Sequence, residues 1–372
     1  MLSMNSRRWS ENRVEEKLDK YRKLLQELTD AHGVSGFEEE AINVMKRHIA
    51  NPDEISYDKL GSLIAKRKGK SDRPRIMIAG HIDEVGFIVK EITSEGYIKF
   101  LPLGGWWGHV ALAQRVIIKT SKGDVSGVVG SKPPHILNDD ERKKVLELKD
   151  MFIDVGVCDG FNVKSLGIRP GDPIVPDSKF QVMGNPDLYM NKAFDNRFGA
   201  AVAVAVFNEF AEVPHPNTIY AVGTVQEEVG LRGAGTAAHV IDPDVAIVPD
   251  VSLSGDSPDA KSSVGKLGSG PSITVFDGSM IPNRRLRDLF VDTAEKSKIP
   301  FHFAALERGG TDGGRIHMSR AGVPTIYVGA ATRYIHSHTA ILHKGDFENL
   351  VKLLVKVIKK LDAKTVEGLT AR

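Results

Sequence analysis

The sequence predicts an α/β fold: a mixed, largely parallel sheet with helices on both faces, carrying a small inserted β-rich domain. Short apolar runs without alternation recur at Arg75 to Ala79, Thr218 to Val225, Val245 to Val248 and Thr325 to Val328, the pattern of strands covered on both faces. Each run ends close to acids or histidines. From about Gly86 to Pro173 the texture changes to alternating β-type stretches broken by turns such as Ser94-Glu95-Gly96 and Ser121-Lys122-Gly123-Asp124. At 372 residues two domains are expected. One is discontinuous, over residues 1–85 and 174–372, and the other is inserted over 86–173.

Composition narrows the partners. A chain this long buries a large core without covalent staples, and its one cysteine, Cys158, can form neither an intramolecular disulfide nor a thiolate zinc site. Any metal centre must therefore use His, Asp and Glu. Fifty Lys plus Arg stand against 48 Asp plus Glu, with the signs interspersed, so no nucleic-acid partner is expected. The longest apolar run, Ala200 to Phe207, is far below the ~20 residues of a membrane span. With no apolar stretch near Arg7, Arg8 and Glu11, the reading is a soluble cytoplasmic protein without a membrane partner.

Along the chain, Val14, Leu18, Tyr21, Leu25 and Leu28 mark a first amphipathic helix that Gly33 ends. Ser35 with Glu38 reads as a capping box opening a second helix through Ile42, Met45 and Ile49. The first strand, Arg75 to Ala79, runs straight into Gly80-His81-Ile82-Asp83-Glu84. Within the insertion, Asp139 to Leu148 is the stretch with helical periodicity, and Trp106-Trp107 suits either an association surface or buried core. Asp195 precedes a helix rich in Ala and Val, Glu227-Glu228 follow the second strand, Asp250 the third, and His336 lies beyond the fourth. In open α/β sheets, ligands bind outside the carboxyl ends of strands.

Those positions carry the chemistry. A lone histidine is most often structural, but His81 directly follows a buried strand, and Asp83 is spaced to fix its tautomer. Asp195 could cap its helix or bridge two cations, since a carboxylate has two oxygens. Two adjacent acids after an apolar strand are costly unless solvated or neutralised, so Glu227 and Glu228 are either a solvated turn or a ligand beside a proton-handling neighbour. The candidate ligands are His81, Asp195, Glu228, Asp250 and His336. Their donor types suit zinc, cobalt or manganese, two ions per subunit. The Gly309-Gly310-Thr311-Asp312-Gly313-Gly314 loop lines a pocket or simply turns the chain, with Glu307 and Arg308 as candidate pocket wall.

With these residues in place, the sequence resembles the M42 family of dinuclear metalloaminopeptidases, the glutamyl and tetrahedral (TET) aminopeptidase group. The likeness rests on Gly80-His81-Ile82-Asp83-Glu84-Val85-Gly86, Asp195-Asn196-Arg197, Gln226 to Ala234, Asp250, Gly309-Gly310-Thr311-Asp312 and Arg333-Tyr334-Ile335-His336-Ser337, in family order. It implies a zinc-peptidase-like fold in which His81 and Asp250 hold one ion, Glu228 and His336 the other, and Asp195 bridges. It implies catalytic roles for Glu227, the general base acting on metal-bridged water, and for Asp83, which orients His81. The substrates implied are short peptides with a free N-terminus. The inserted domain is expected to pair subunits, dimers assembling to a dodecamer, and Met1 to Asn12 extends beyond the family core.

Rival readings are weaker. A related metallopeptidase or deacylase acting on blocked or C-terminal residues shares the same ligands. Gly233-Ala234-Gly235-Thr236-Ala237-Ala238 fits a nicotinamide-dependent oxidoreductase fingerprint, but Gln226 to Arg232 separate it from its strand. No Gly-x-Ser-x-Gly occurs, and Ile64 stands where a phosphate loop ahead of Gly69-Lys70-Ser71 needs its first glycine.

Overall fold

The computed structural model describes residues 20–258, 260 and 265–371. Strands in chain order are β1 (Glu54–Tyr57), β2 (Leu63–Arg67), β3 (Arg75–His81), β4 (Gly86–Ile92), β5 (Ile98–Leu103), β6 (Arg115–Thr120), β7 (Gly123–Gly130), β8 (Phe152–Asp154) and β9 (Pro173–Pro176). They continue with β10 (Gln181–Val182), β11 (Leu188–Asn191), β12 (Thr218–Thr224), β13 (Val245–Leu253), β14 (Ser272–Asp277), β15 (His302–Leu306), β16 (Thr325–Arg333) and β17 (Ala340–His343). The longer helices are α1 (Arg22–Asp30), α2 (Glu39–His48), α3 (Phe194–Glu209), α4 (Arg232–Ile241), α5 (Arg284–Lys296) and α6 (Lys344–Ile358).

Among the described residues the larger sheet has eleven strands in the order β1-β2-β12-β3-β13-β16-β17-β11-β10, with β14 and β15 joined through β16. Its centre, β12-β3-β13-β16, is parallel, and its flanks are antiparallel. These four central strands are the four apolar runs of the sequence. Register aligns their carboxyl ends, Thr224 lying beside His81 and Asp250 beside Gly329. The residues that leave these strands therefore meet at one edge of the sheet.

Helix α3 is apolar all round from Phe198 to Phe207, and such a helix must be interior. It lies against β3 and β13, with α1, α2 and α6 packed outside it. Close approach is enforced by glycine: a Cβ on Gly80 would fall 2.2 Å from the Gly199 carbonyl carbon, and one on Gly199 would fall 2.1 Å from the Pro249 oxygen. The start of α3 is thereby drawn onto the strand ends. On the opposite face α4 buries Ala234, Ala237, Ala238 and Ile241 against Met77, Ala79, Val222 and Val248.

The insertion is a closed barrel, β4-β5-β8-β7-β6-β9, with Phe87, Phe100, Ile118, Ile153 and Ile174 among its interior residues. Closure leaves no open strand edge. The Trp106 indole donates to the Gly86 carbonyl at 3.0 Å and stacks on Phe87, whereas Trp107 is 63% exposed. One tryptophan, partly buried, packs against the barrel core, and its neighbour is surface.

Two local expectations change. Ser35 does not cap α2; its hydroxyl donates to Asp83 at 2.6 Å, and α2 begins after Glu38 without a side-chain cap. The buried carboxylate is the stronger acceptor. Helix from Asp139 reaches only Lys143, under a capping box of Asn138 and Glu141, and a 3-10 turn follows at Leu148–Asp150. With no buried face, that sequence has nothing to extend it. Of the first expected helix, Val14 and Leu18 lie outside the described residues, as does Met1 to Asn12. No helix among the described residues is long and apolar enough to cross a membrane.

Candidate metal centre

Six of the side chains singled out in the sequence, His81, Asp195, Glu227, Glu228, Asp250 and His336, line one cleft of about 680 Å3. The seventh, Asp83, lies fully buried behind them. His81 ends β3 and Asp250 lies within β13, so both are set by the parallel register. Asp195 has extended backbone, φ −82° and ψ 106°, and it caps nothing. Its Oδ1 is 3.3 Å from His81 Nε2 and its Oδ2 is 3.2 Å from His336 Nε2. One carboxylate thus spans two imidazoles.

The adjacent glutamates, at the start of the turn after β12, face different histidines. Glu227 Oε2 is 3.7 Å from His81 Nε2, and Glu228 Oε2 is 3.7 Å from His336 Nε2. Asp250 Oδ2 lies 4.0 Å from His81 Nε2 while its Oδ1 accepts the Val251 amide. Two donor groups result, His81 with Asp195 and Asp250, and His336 with Asp195 and Glu228, each with ligand atoms within 4.8 Å of one another. A third combines His81, Glu227 and Glu228.

Behind the donors stands a layer that sequence reasoning reached only in part. His81 Nδ1 is 3.1 Å from the Asp83 backbone carbonyl and 3.5 Å from its carboxylate. That carboxylate also accepts the Glu227 and Glu228 amides and the Ser35 hydroxyl. His336 Nδ1 is 2.7 Å from the Gly105 carbonyl, which belongs to the loop leaving barrel strand β5. A backbone oxygen has no residue type, so no sequence pattern advertises it. Asp312 is buried and accepts the Thr224 hydroxyl, and the Gly309 loop reaches the cleft wall with Glu307 and Arg308. Glu84 is clamped by Lys192 at 2.6 Å and lies 3.6 Å from Arg197.

Electrostatics mark the cluster as over-acidic for its burial. Burial, joined by neighbouring acids, raises Glu227 and Asp250 well above the ordinary carboxyl range and pushes Glu228 up to about 8. Burial opposes charge on the histidines, yet Glu227, Asp195, Asp83 and Asp250 hold His81 well above its usual value. Asp195 and Glu228 hold His336 up to about 10 against the same penalty. Burial resists charge on Asp195 too, but its two histidine contacts keep it below its ordinary value. The Glu228 Oε1 atom is buried without a hydrogen-bond partner. Orphaned oxygen, excess carboxylate and His/Asp/Glu donors without thiolate all fit divalent cations.

The family model described as M42 glutamyl aminopeptidase matches residues 61–353. The crystal structure of a TET aminopeptidase from the marine sediment archaeon Thaumarchaeota archaeon SCGC AB-539-E09 superposes with a TM-score of 0.91 at 48% identity, covering 95% of this chain and all of that one. The Pyrococcus horikoshii TET1 peptidase, whose structures show assembly into a tetrahedron or a large octahedral shell, superposes with a TM-score of 0.81 at 30% identity, covering 92% of this chain and all of that one. The glutamyl aminopeptidase of Lactococcus lactis is 32% identical over 343 residues, 91% of this chain and 96% of its own. The family model spans most of the chain and the superpositions cover over nine-tenths of it, and the chain belongs to the M42 family of aminopeptidases.

Proposed function

We propose that this chain is a dinuclear metal-dependent aminopeptidase that removes the N-terminal residue from short peptides. The observation that carries the reading is Asp195, whose two oxygens face His81 and His336 across a single cleft. His81 and Asp250 would hold one divalent ion, Glu228 and His336 the other, with Asp195 shared; zinc or cobalt suits the donors best, and manganese is acceptable to them. When bound, such a pair supplies Lewis acidity, polarising a carbonyl and acidifying water.

The protein's own groups do the remaining work. Glu227 takes a proton from the attacking water and delivers it to the departing amine. Its burial raises its basicity, and its position on a turn held by Asp83 fixes where the proton is collected. Asp83 orients His81 as well, so one carboxylate sets both base and ligand. The walls formed by Leu231, Leu306 and Ile335 keep the cleft largely apolar beyond the donors.

The test is a panel of aminoacyl p-nitroanilides assayed after chelation and separate repletion with zinc, cobalt and manganese. Activity should vanish on chelation and return with metal. Cleavage of N-acetylated or C-terminal substrates instead would favour the deacylase or carboxypeptidase-type alternative. Glu227→Gln should retain metal yet lose at least about a thousandfold in kcat, the scale of a lost general base. Unchanged turnover in that variant would remove the assigned role. The inserted domain, expected over residues 86–173 and containing most of the barrel, is assigned to subunit pairing, with dimers building a dodecamer.

A further inference from the structure

We propose that Ser35 and Glu38, on the loop ahead of α2, are positioning residues that brace the turn carrying Glu227 and Glu228. The proposal rests on the reading of Glu227 as base. Strand β12 ends at Thr224, so the next amides lose their sheet partners. Three of them in succession turn to carboxylates instead. The Gln226 amide donates to Glu38 Oε1 at 3.1 Å, the Glu227 amide to Asp83 Oδ1 at 3.0 Å, and the Glu228 amide to Asp83 Oδ2 at 3.1 Å. The ionised Asp83 carboxylate makes stronger bonds than a neutral acceptor would, and although burial pushes Glu38 up to about 7, either form keeps an oxygen for the amide, and a buried acceptor is costly to remove.

The turn needs such support. Gln226 and Leu231 both adopt left-handed backbone, φ +57° and +56°, which non-glycine residues hold only when their surroundings enforce it. Ser35 donates to Asp83 Oδ2 at 2.6 Å, and Glu38 Oε1 also accepts the Gly36 amide at 2.7 Å. Ser35, Glu38 and Asp83 are all buried, and neither Ser35 nor Glu38 lines the cleft. Their loop is itself pinned. Gly33 exchanges backbone bonds with Glu84, donating to its carboxylate and accepting its amide, and Arg197 donates to the Gly33 carbonyl. A chain of hydrogen bonds therefore runs from the Lys192–Glu84 pair through the 33–38 loop to the backbone of the base. Loosening it would displace Glu227 by tenths of an ångström without removing any side chain that lines the cleft.

The test uses full-length, metal-loaded wild type, Glu38→Ala, Glu38→Gln and Ser35→Ala. Hydrogen exchange over residues 225–231 reads the brace directly, and kcat, KM and the pH profile on leucyl p-nitroanilide read its consequence. Glu38→Ala should exchange at the 226–228 amides about tenfold faster or more, with an unfolding midpoint near that of wild type. It should lose about ten- to a hundredfold in kcat with KM within about twofold and metal content unchanged. Glu38→Gln keeps an acceptor oxygen and should stay near wild type, while Ser35→Ala should move in the direction of Glu38→Ala and carries the comparison should that variant not fold. Wild-type exchange and kcat in both Glu38→Ala and Ser35→Ala would overturn the brace, and so would an equal loss in Glu38→Gln. A wild type inert on every aminoacyl substrate, with exchange still accelerated in Glu38→Ala, would instead sink the base assignment and leave the brace standing.

Discussion

Single side chains in this molecule act chiefly through where they put charge. Asp256 receives Arg333 Nε at 2.8 Å and Nη2 at 2.7 Å, along with the Ser254 hydroxyl and the Leu267 amide. The Arg333 contact outweighs burial and lowers its carboxyl to about 2. A folded value below the unfolded one gives stability that is full above the unfolded value of about 4 and drains away as pH falls through 2. Asp256→Asn should therefore lose about 2 kcal/mol at pH 7, roughly half of that at pH 3, and almost nothing below 2, as read by urea unfolding at each pH. A deficit independent of pH would show that the pair contributes by packing rather than charge. The same residue-level view explains what was legible beforehand. The candidate donors stand out because acids and histidines at the ends of buried strands are conspicuous, whereas Ser35 reads locally as a helix cap, since its partner, Asp83, is 48 positions away in sequence. Local pattern shows a hydroxyl its neighbours, not its distant acceptor.

Between elements, the candidate metal centre draws on a loop from outside its own sheet. Gly105 leaves barrel strand β5, and its carbonyl fixes His336, which is 37% exposed on its side chain and held in left-handed backbone at φ +55°. His81 needs no such help, being buried and bonded within its own strand end. A Cβ on Gly105 would lie 3.1 Å from His336 Nδ1, so a branched side chain there must push the imidazole away. Gly105→Val should accordingly keep about one equivalent of metal after dialysis where wild type keeps about two, with little change in thermal midpoint. Full occupancy in that variant would mean that the carbonyl contact is dispensable. The strands on either side of this contact were readable from their apolar runs and alternation. The contact was not, because a glycine carbonyl carries no signature, and the helix from Asp139 is shorter than its periodicity suggests because its polar residues support only one capped turn.

At the scale of the whole molecule, the alternating β texture of the insertion was legible but its closure into a barrel was not, because strand order β4-β5-β8-β7-β6-β9 depends on pairings such as β4 with β9 that span about 85 residues. The insertion carries large apolar residues in the open, Leu101, Trp107, Ile136 and Val145, with Ile136 66% exposed. Contiguous patches of exposed apolar side chains mark association surfaces, and a stable interface buries on the order of 1,600 Å2, so these residues are the ones to test for pairing. Twelve copies of a 40.6 kDa chain would sediment at about 490 kDa. Trp107→Asp and Ile136→Asp should each shift sedimentation toward smaller species, because a charge buried at an interface without a partner costs several kcal/mol. Far-UV circular dichroism should not change, since neither side chain belongs to the barrel core. If both variants keep the wild-type mass, the barrel is not the pairing surface, and the subunit contacts must be sought on the larger domain.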